Sequence, residues 1–166
     1  MKKAFISHSS AQKSFVLELE QAIGLDFCIV DERTFESGKL IIDEIVKSID
    51  KCDIFVFLIS KEALASDWVK NELSNIRDRI DDGAFSAFMP FIIDDLVEHS
   101  DPSIKQWIKK DYILEKYNSP ILLARKIKEK IRELIWSQYP ILQKKDGLFK
   151  GRDEELGILD QKYYDG

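Results

Sequence analysis

The chain is expected to fold as an α/β domain, a parallel sheet covered by helices on both faces, and three observations lead there. Short segments that are apolar throughout, such as Ile54-Phe55-Val56-Phe57-Leu58-Ile59, read as strands buried on both sides. Segments with apolar residues at helical spacing alternate with them, as at Phe15, Val16, Leu19 and Ile23. The 166 residues, 45% of them hydrophobic, suffice for one well-buried domain and fall short of two ordinary ones.

Taken in order, Ala4-Phe5-Ile6-Ser7 is the first strand, broken by the polar His8-Ser9-Ser10. Ser9 or Ser10 suits the N-cap of the next helix, because a short hydroxyl can accept from the orphan N–H groups of a first turn. Gly24 suits that helix's end. Phe27-Cys28-Ile29-Val30 is a second buried strand, and Asp31 to Lys39 a loop, polar apart from Phe35 and closed by Gly38. Leu40 to Asp50 is an amphipathic helix with Ile42, Ile45, Val46 and Ile49 on one stripe. After the third strand, a helix opens near Ser66 and buries Val69, Leu73, Ile76 and Ile80. Ala87 to Ile93 is a fourth strand despite Pro90, whose missing N–H suggests an edge or a bulge. Residues 94–111 fit no single element beyond a short helix around Ile104, Trp107 and Ile108. Tyr112-Ile113-Leu114 is expected as a short fifth strand. Ser119 to Tyr139 is a long helix, with Pro120 in its first turn and Pro140 at its stop.

Composition excludes several classes. A net charge of −5 argues against non-specific nucleic-acid binding. The basic excess from Lys105 to Lys145 reads as a solvated helix face. Cys28 and Cys52 have no Cys-x-x-Cys spacing and read as free core thiols in a reducing compartment, while His8 and His99 lack any cysteine partner, so no metal site is expected. No signal peptide or membrane-spanning stretch is legible, and a cytoplasmic location is expected. The motifs of neighbouring folds are missing too. Ser7 to Gln12 has no Gly-x-Gly-x-x-Gly, Gly38-Lys39 lacks the glycine five residues earlier that a P-loop needs, Ser60 stands where a phospho-receiver has aspartate, and there is no Gly-x-Ser-x-Gly elbow.

In parallel sheets ligands bind outside the carboxyl ends of the strands. That rule gathers His8 to Ser10, the Asp31–Lys39 loop and Ser60 to Trp68 on one rim. Trp68 and Glu72, four apart, share a helix face distinct from the apolar stripe. On the residues alone Glu72 is either a solvated helix carboxylate or a catalytic one. It is not an obvious capping-box acid, because with Ser66 as N-cap the third helical position is Val69. Trp68 is either core packing or a pocket wall, His8 a loop hydrogen-bonder or a ligand contact, and Asp31 with Arg33 a solvated pair or part of the site.

Three boxes now line up with a known family. Ala4-Phe5-Ile6-Ser7-His8-Ser9, then Asp31-Glu32-Arg33-Thr34-Phe35-Glu36-Ser37-Gly38, then Ile59-Ser60 with Ser66-Asp67-Trp68-Val69-Lys70-Asn71-Glu72-Leu73 resemble, in order, the three conserved boxes of Toll/interleukin-1 receptor (TIR) domains. The resemblance implies a flavodoxin-like fold with a five-stranded parallel sheet and a TIR domain over residues 1–139. It implies an NAD+ nucleosidase of bacterial type in innate, antiviral defence, switched on by oligomerisation. NAD+ would be the substrate, with no separate cofactor and no metal, and the product hydrolysed or cyclic ADP-ribose. By position Glu72 would be the catalytic residue and Trp68 the wall, with His8, Ser9, Asp31, Arg33, Phe35 and Leu40 around the nucleotide. Arg33, Phe35, Gly38 and Lys39 would belong to a loop that mediates TIR–TIR assembly. The chain departs from several active relatives in carrying His8-Ser9-Ser10 where they have an aromatic followed by arginine. The alternative is a non-enzymatic TIR scaffold that signals by homotypic association. Residues 140–166 read as a linker followed by Phe149-Lys150-Gly151-Arg152-Asp153-Glu154-Glu155-Leu156, which resembles the opening of STAND-type, NLR-like ATPase domains and implies a downstream ATPase partner domain.

Overall fold

The computed structural model describes residues 2–30, 51–66, 73 and 76–139. The expected helix over Leu40–Asp50, the Asp31–Lys39 loop, Val69 of the apolar stripe and the tail from residue 140 lie outside the described residues. The chain divides into two compact units, Met1–Ile131 and Arg132–Gly166. Within the second, the described residues are the end of a helix, closed by a Ser137 hydroxyl that donates to the Leu134 carbonyl.

The first unit holds one parallel sheet of five strands: β1 (Ala4–Ser7), β2 (Cys28–Val30), β3 (Ile54–Ile59), β4 (Ala87–Ile92) and β5 (Glu115–Lys116). The spatial order is β2-β1-β3-β4-β5, with every neighbouring pair parallel. This is the doubly wound, flavodoxin-like order. The helices are α1 (Lys13–Ile23), α2 (Lys61–Ala65), α3 (Gln106–Asp111) and α4 (Pro120–Ser137), and a 3-10 turn at Ser10–Gln12 precedes α1. Residues 76–81 are also helical.

Both faces of β1 and β3 are dry. Successive strand residues point to opposite sides, and Ala4, Phe5, Ile6 and all six residues of β3 are buried. Phe5, Phe55 and Phe88 lie side by side in register on one face and stack, with centroid separations of 5.6 and 5.8 Å. Leu73 and Ile76 are buried in the same cluster and Ile80 packs against it, as the apolar stripe predicts. On α1, Val16, Leu19 and Ile23 are buried, and on α4 so are Leu123, Ala124, Ile127 and Ile131. The Lys128 ammonium, donating to the Ala22 carbonyl, ties these two helices together.

α1 ends at Gly24, where φ is 100°. A Cβ there would meet only Phe27 Cδ2, at 3.5 Å, so space is not the constraint; the positive φ is. Gly24→Ala is expected to lower unfolding free energy by about 1–3 kcal/mol through backbone strain alone, read as a lower urea midpoint with an unchanged m-value.

Three expectations need correction. The fifth strand is Glu115–Lys116, not Tyr112-Ile113-Leu114. Tyr112 turns instead onto Phe88 and Trp107, 4.8 and 6.0 Å between centroids, and Ile113 is 84% exposed. The ladder is held by polar groups: the Glu115 carboxylate accepts from Tyr117 and pairs with Lys126. The second strand starts at Cys28 rather than Phe27, and as the edge strand it leaves Ile29 and Val30 half-buried. Phe27 belongs to the turn, its N–H donating to the Gly24 carbonyl. Finally, neither Ser9 nor Ser10 caps α1 with its side chain; the 3-10 turn intervenes.

Pro90 sits inside a paired strand without bulging it. The Ile93 N–H donates to the Ile59 carbonyl and the Ile92 carbonyl accepts from Tyr117. Even-numbered residues of β4 therefore direct their backbone groups away from β3. The missing N–H of Pro90 falls on that side, one residue before pairing with β5 begins at Phe91–Glu115.

Candidate functional site

The crossovers from β1 to β2 and from β3 to β4 run in opposite directions, so the carboxyl ends of β1 and β3 flank the topological switch point where such sheets bind ligands. Four residues build the floor there. Ser7 closes β1 and is buried, His8 follows it half-buried, Ser9 is buried, and Ser60, just past β3, is wholly inaccessible.

The hydroxyls are placed by the backbone. Ser60 is extended, with φ −128° and ψ 169°, and its Oγ accepts from the Ala63 N–H at 3.1 Å, capping α2. The same Oγ lies 3.3 Å from Ser9 Oγ, across the gap between the β1 and β3 loops. Ser7 Oγ is buried and has no hydrogen-bond partner among the described residues. A third loop joins the rim through Asp94, beyond β4. One Asp94 carboxylate oxygen accepts from the Lys61 N–H and the other from the Leu96 N–H, each at 2.9 Å. Two of the four donors that a helix start leaves orphaned are thus satisfied from outside α2, by Ser60 and Asp94.

Those backbone donors hold the Asp94 carboxyl below its ordinary value of 3.8. A depressed folded-state pKa contributes stability that is present above the unfolded value and is lost as pH falls through the folded one. Asp94→Ala is expected to cost about 1 kcal/mol at pH 7, in the range for a lost helix cap. The difference from wild type should shrink below the ordinary aspartate pKa, which urea titrations at pH 7 and pH 3 would register.

Of the predicted site residues, the structure brings His8 and Ser9 to the rim beside Ser60. Ser9 turns its hydroxyl toward Ser60. Asp31, Arg33, Phe35, Gly38, Lys39, Leu40, Trp68 and Glu72 lie outside the described residues. Sequence reasoning missed Asp94 as a rim residue and Ser60 as a cap. Both were legible: Asp94 follows the fourth apolar run, and Ser60 stands three residues before Ala63, where an N-cap would bond.

The cysteines are poor nucleophiles. Burial pushes the Cys28 thiol up to about 11 and Cys52 up to about 12, so both stay protonated near neutral pH. Among the described residues no group of His, Cys, Asp and Glu side chains could hold a metal ion, and no helix is long and apolar enough to cross a membrane. Beside α2, a cavity of about 350 Å³ opens between Leu64 and the Pro102–Lys109 segment.

A family model described as TIR domain matches residues 4–118. The TIR domain heterodimer of RPS4 and RRS1 is similar in fold, at 15% identity with a TM-score of 0.61, over 80% of this chain and 97% of that one. A metazoan TIR-STING receptor from C. gigas superposes with a TM-score of 0.54 at 20% identity, over 77% of this chain but only 39% of the receptor chain. No curated protein matches the sequence.

Proposed function

The chain belongs to the TIR domain family, and on that premise we propose that it cleaves the nicotinamide–ribose bond of NAD+ when several copies assemble. The observation that carries this reading is the polar rim at the switch point. Buried hydroxyls of the β1 and β3 loops meet there, and the chain runs on from Ser60 and α2 directly into the Ser66–Leu73 box with Trp68 and Glu72.

The chemistry asks little of the protein. Breaking the bond builds positive charge on the anomeric carbon, as in glycoside hydrolysis. Nicotinamide leaves neutral from a pyridinium, so the leaving group takes no proton and no general acid is required. One carboxylate, Glu72, then suffices to hold the ribose hydroxyls and stabilise the oxocarbenium-like transition state. Trp68 walls the pocket. His8 meets the nucleotide from the β1 loop, and Asp31, Arg33, Phe35 and Leu40 from the second. Arg33, Phe35, Gly38 and Lys39 also form the assembly loop, by which a neighbouring copy completes the site. Support for association comes from the similar fold whose structure is a TIR domain heterodimer; the same observation favours a second reading, a scaffold that signals through TIR–TIR contacts without turnover. Membership of a STAND-type immune receptor rests on the tail motif at 149–156.

Tethering the domain to a multimerising fusion and following NAD+ by chromatography tests the proposal. Nicotinamide release is expected, and the co-product separates hydrolysis from cyclisation. Clustered protein that leaves NAD+ intact would sink the enzymatic reading and leave the scaffold.

A further inference from the structure

We propose that the Ser9–Ser60 hydroxyl contact is a positioning contact of the nucleotide site, fixing the loop that carries His8 against the helix cap that leads to Trp68 and Glu72. This rests on the NAD+-cleaving reading above. The contact spans 51 residues of sequence, is 3.3 Å long, and joins two side chains that are 5% and 0% exposed. Ser60 Oγ is already occupied on one side as the acceptor for the Ala63 N–H. It also meets Ser9 Oγ, and the α2 start it caps is held again by Asp94 on Lys61. One short network therefore links the loops after β1, β3 and β4 across the switch point.

Among the described residues Ser9 makes no other side-chain hydrogen bond; it starts the 3-10 turn through its carbonyl, which accepts from the Gln12 N–H, and not through its hydroxyl. A buried hydroxyl pair between two rim loops costs desolvation and returns only a modest net hydrogen bond. Its clearer consequence is geometric. With the contact in place the loop that carries His8 is held to the α2 cap from the buried side, while Gln12 Nε2 donating to Glu62 Oε2 at 3.5 Å ties the same two elements at the exposed side. Small displacements of a substrate-positioning group lower productive binding strongly. Ser9 and Ser60 are thus positioning residues, with Ser9 acting through His8 and not through a ligand contact of its own hydroxyl.

The test uses the clustered protein with NAD+ as the varied substrate. Ser9→Ala is expected to raise KM about tenfold with kcat within about twofold, while the thermal midpoint stays within about 2 °C of wild type because no cap is lost. Ser9→Thr restores a hydroxyl and should return KM to within about twofold. Ser60→Ala removes cap and contact together, so it should raise KM similarly and lower the thermal midpoint. The double variant should show no further rise in KM beyond Ser60→Ala, since a shared contact is lost only once. An unchanged KM in Ser9→Ala, or additive effects in the double variant, overturns the inference while NAD+ cleavage by the wild type stands. If wild type cleaves nothing, ADP-ribose affinity by calorimetry takes the place of KM. A tenfold loss of affinity in Ser9→Ala then keeps the positioning role without the enzyme, and no binding by wild type overturns both.

Discussion

Replacing Glu72 with alanine is expected to abolish nicotinamide release from NAD+, with kcat reduced on the order of 100- to 1000-fold, the range for removing a preorganised group that faces developing charge. The effect is electrostatic. As the bond to the departing pyridinium lengthens, positive charge moves onto the ribose, and a fixed carboxylate in a site shielded from water stabilises it far more than solvent would. Glu72→Gln keeps the shape and hydrogen-bonding reach but not the charge. It should retain NAD+ affinity while losing turnover nearly as completely as alanine. A glutamine variant with wild-type kcat would assign Glu72 to positioning; alanine with wild-type kcat would remove it from the mechanism. Single-turnover measurements on tethered protein separate either outcome from a failure to assemble.

The largest stability effect is expected at Phe55. It is fully buried on the central strand and touches Phe5, Phe85 and Phe88 with centroids 5.5 to 5.8 Å apart. Phe88 extends the contact to Trp107 and Tyr112, and the Arg77 guanidinium lies over Trp107 at 5.2 Å. Phe55→Ala removes the ring at the centre of this row and leaves a cavity that strands on both sides prevent from collapsing. A loss of about 3–5 kcal/mol follows, a large part of what a domain of this size has in reserve. Chemical denaturation should show a lower midpoint. Phe55→Leu, which keeps most of the volume, should lose under half as much.

How much of this was written in the sequence depends on the kind of signal. The four apolar runs marked β1 to β4 within a residue, because an apolar run of strand length flanked by polar segments has little freedom to be anything else. Pro120 marked the start of α4 for an equally local reason. The fifth strand was misplaced because Tyr112-Ile113-Leu114 is the more apolar tripeptide, whereas Glu115 and Lys116 pair with β4 through backbone geometry and are held by Tyr117, Lys126 and Asp95. Those partners are polar or charged, and apolar periodicity is blind to both. The site was legible by the same division. The switch-point rule named the rim loops, and His8 and Ser9 stand there. That Ser9 would turn to Ser60, 51 residues away, and that Asp94 would cap the neighbouring helix are consequences of strand order, which no local window contains.

The placement of Pro90 bears on how the sheet keeps its backbone satisfied. The side of β4 away from β3 is paired over only two residues, Phe91 and Ile92. Pro90 stands just before them and is buried, where an N–H facing that side would need a partner. Proline has no N–H to satisfy, so the ladder to β5 can start late without stranding a donor in the interior.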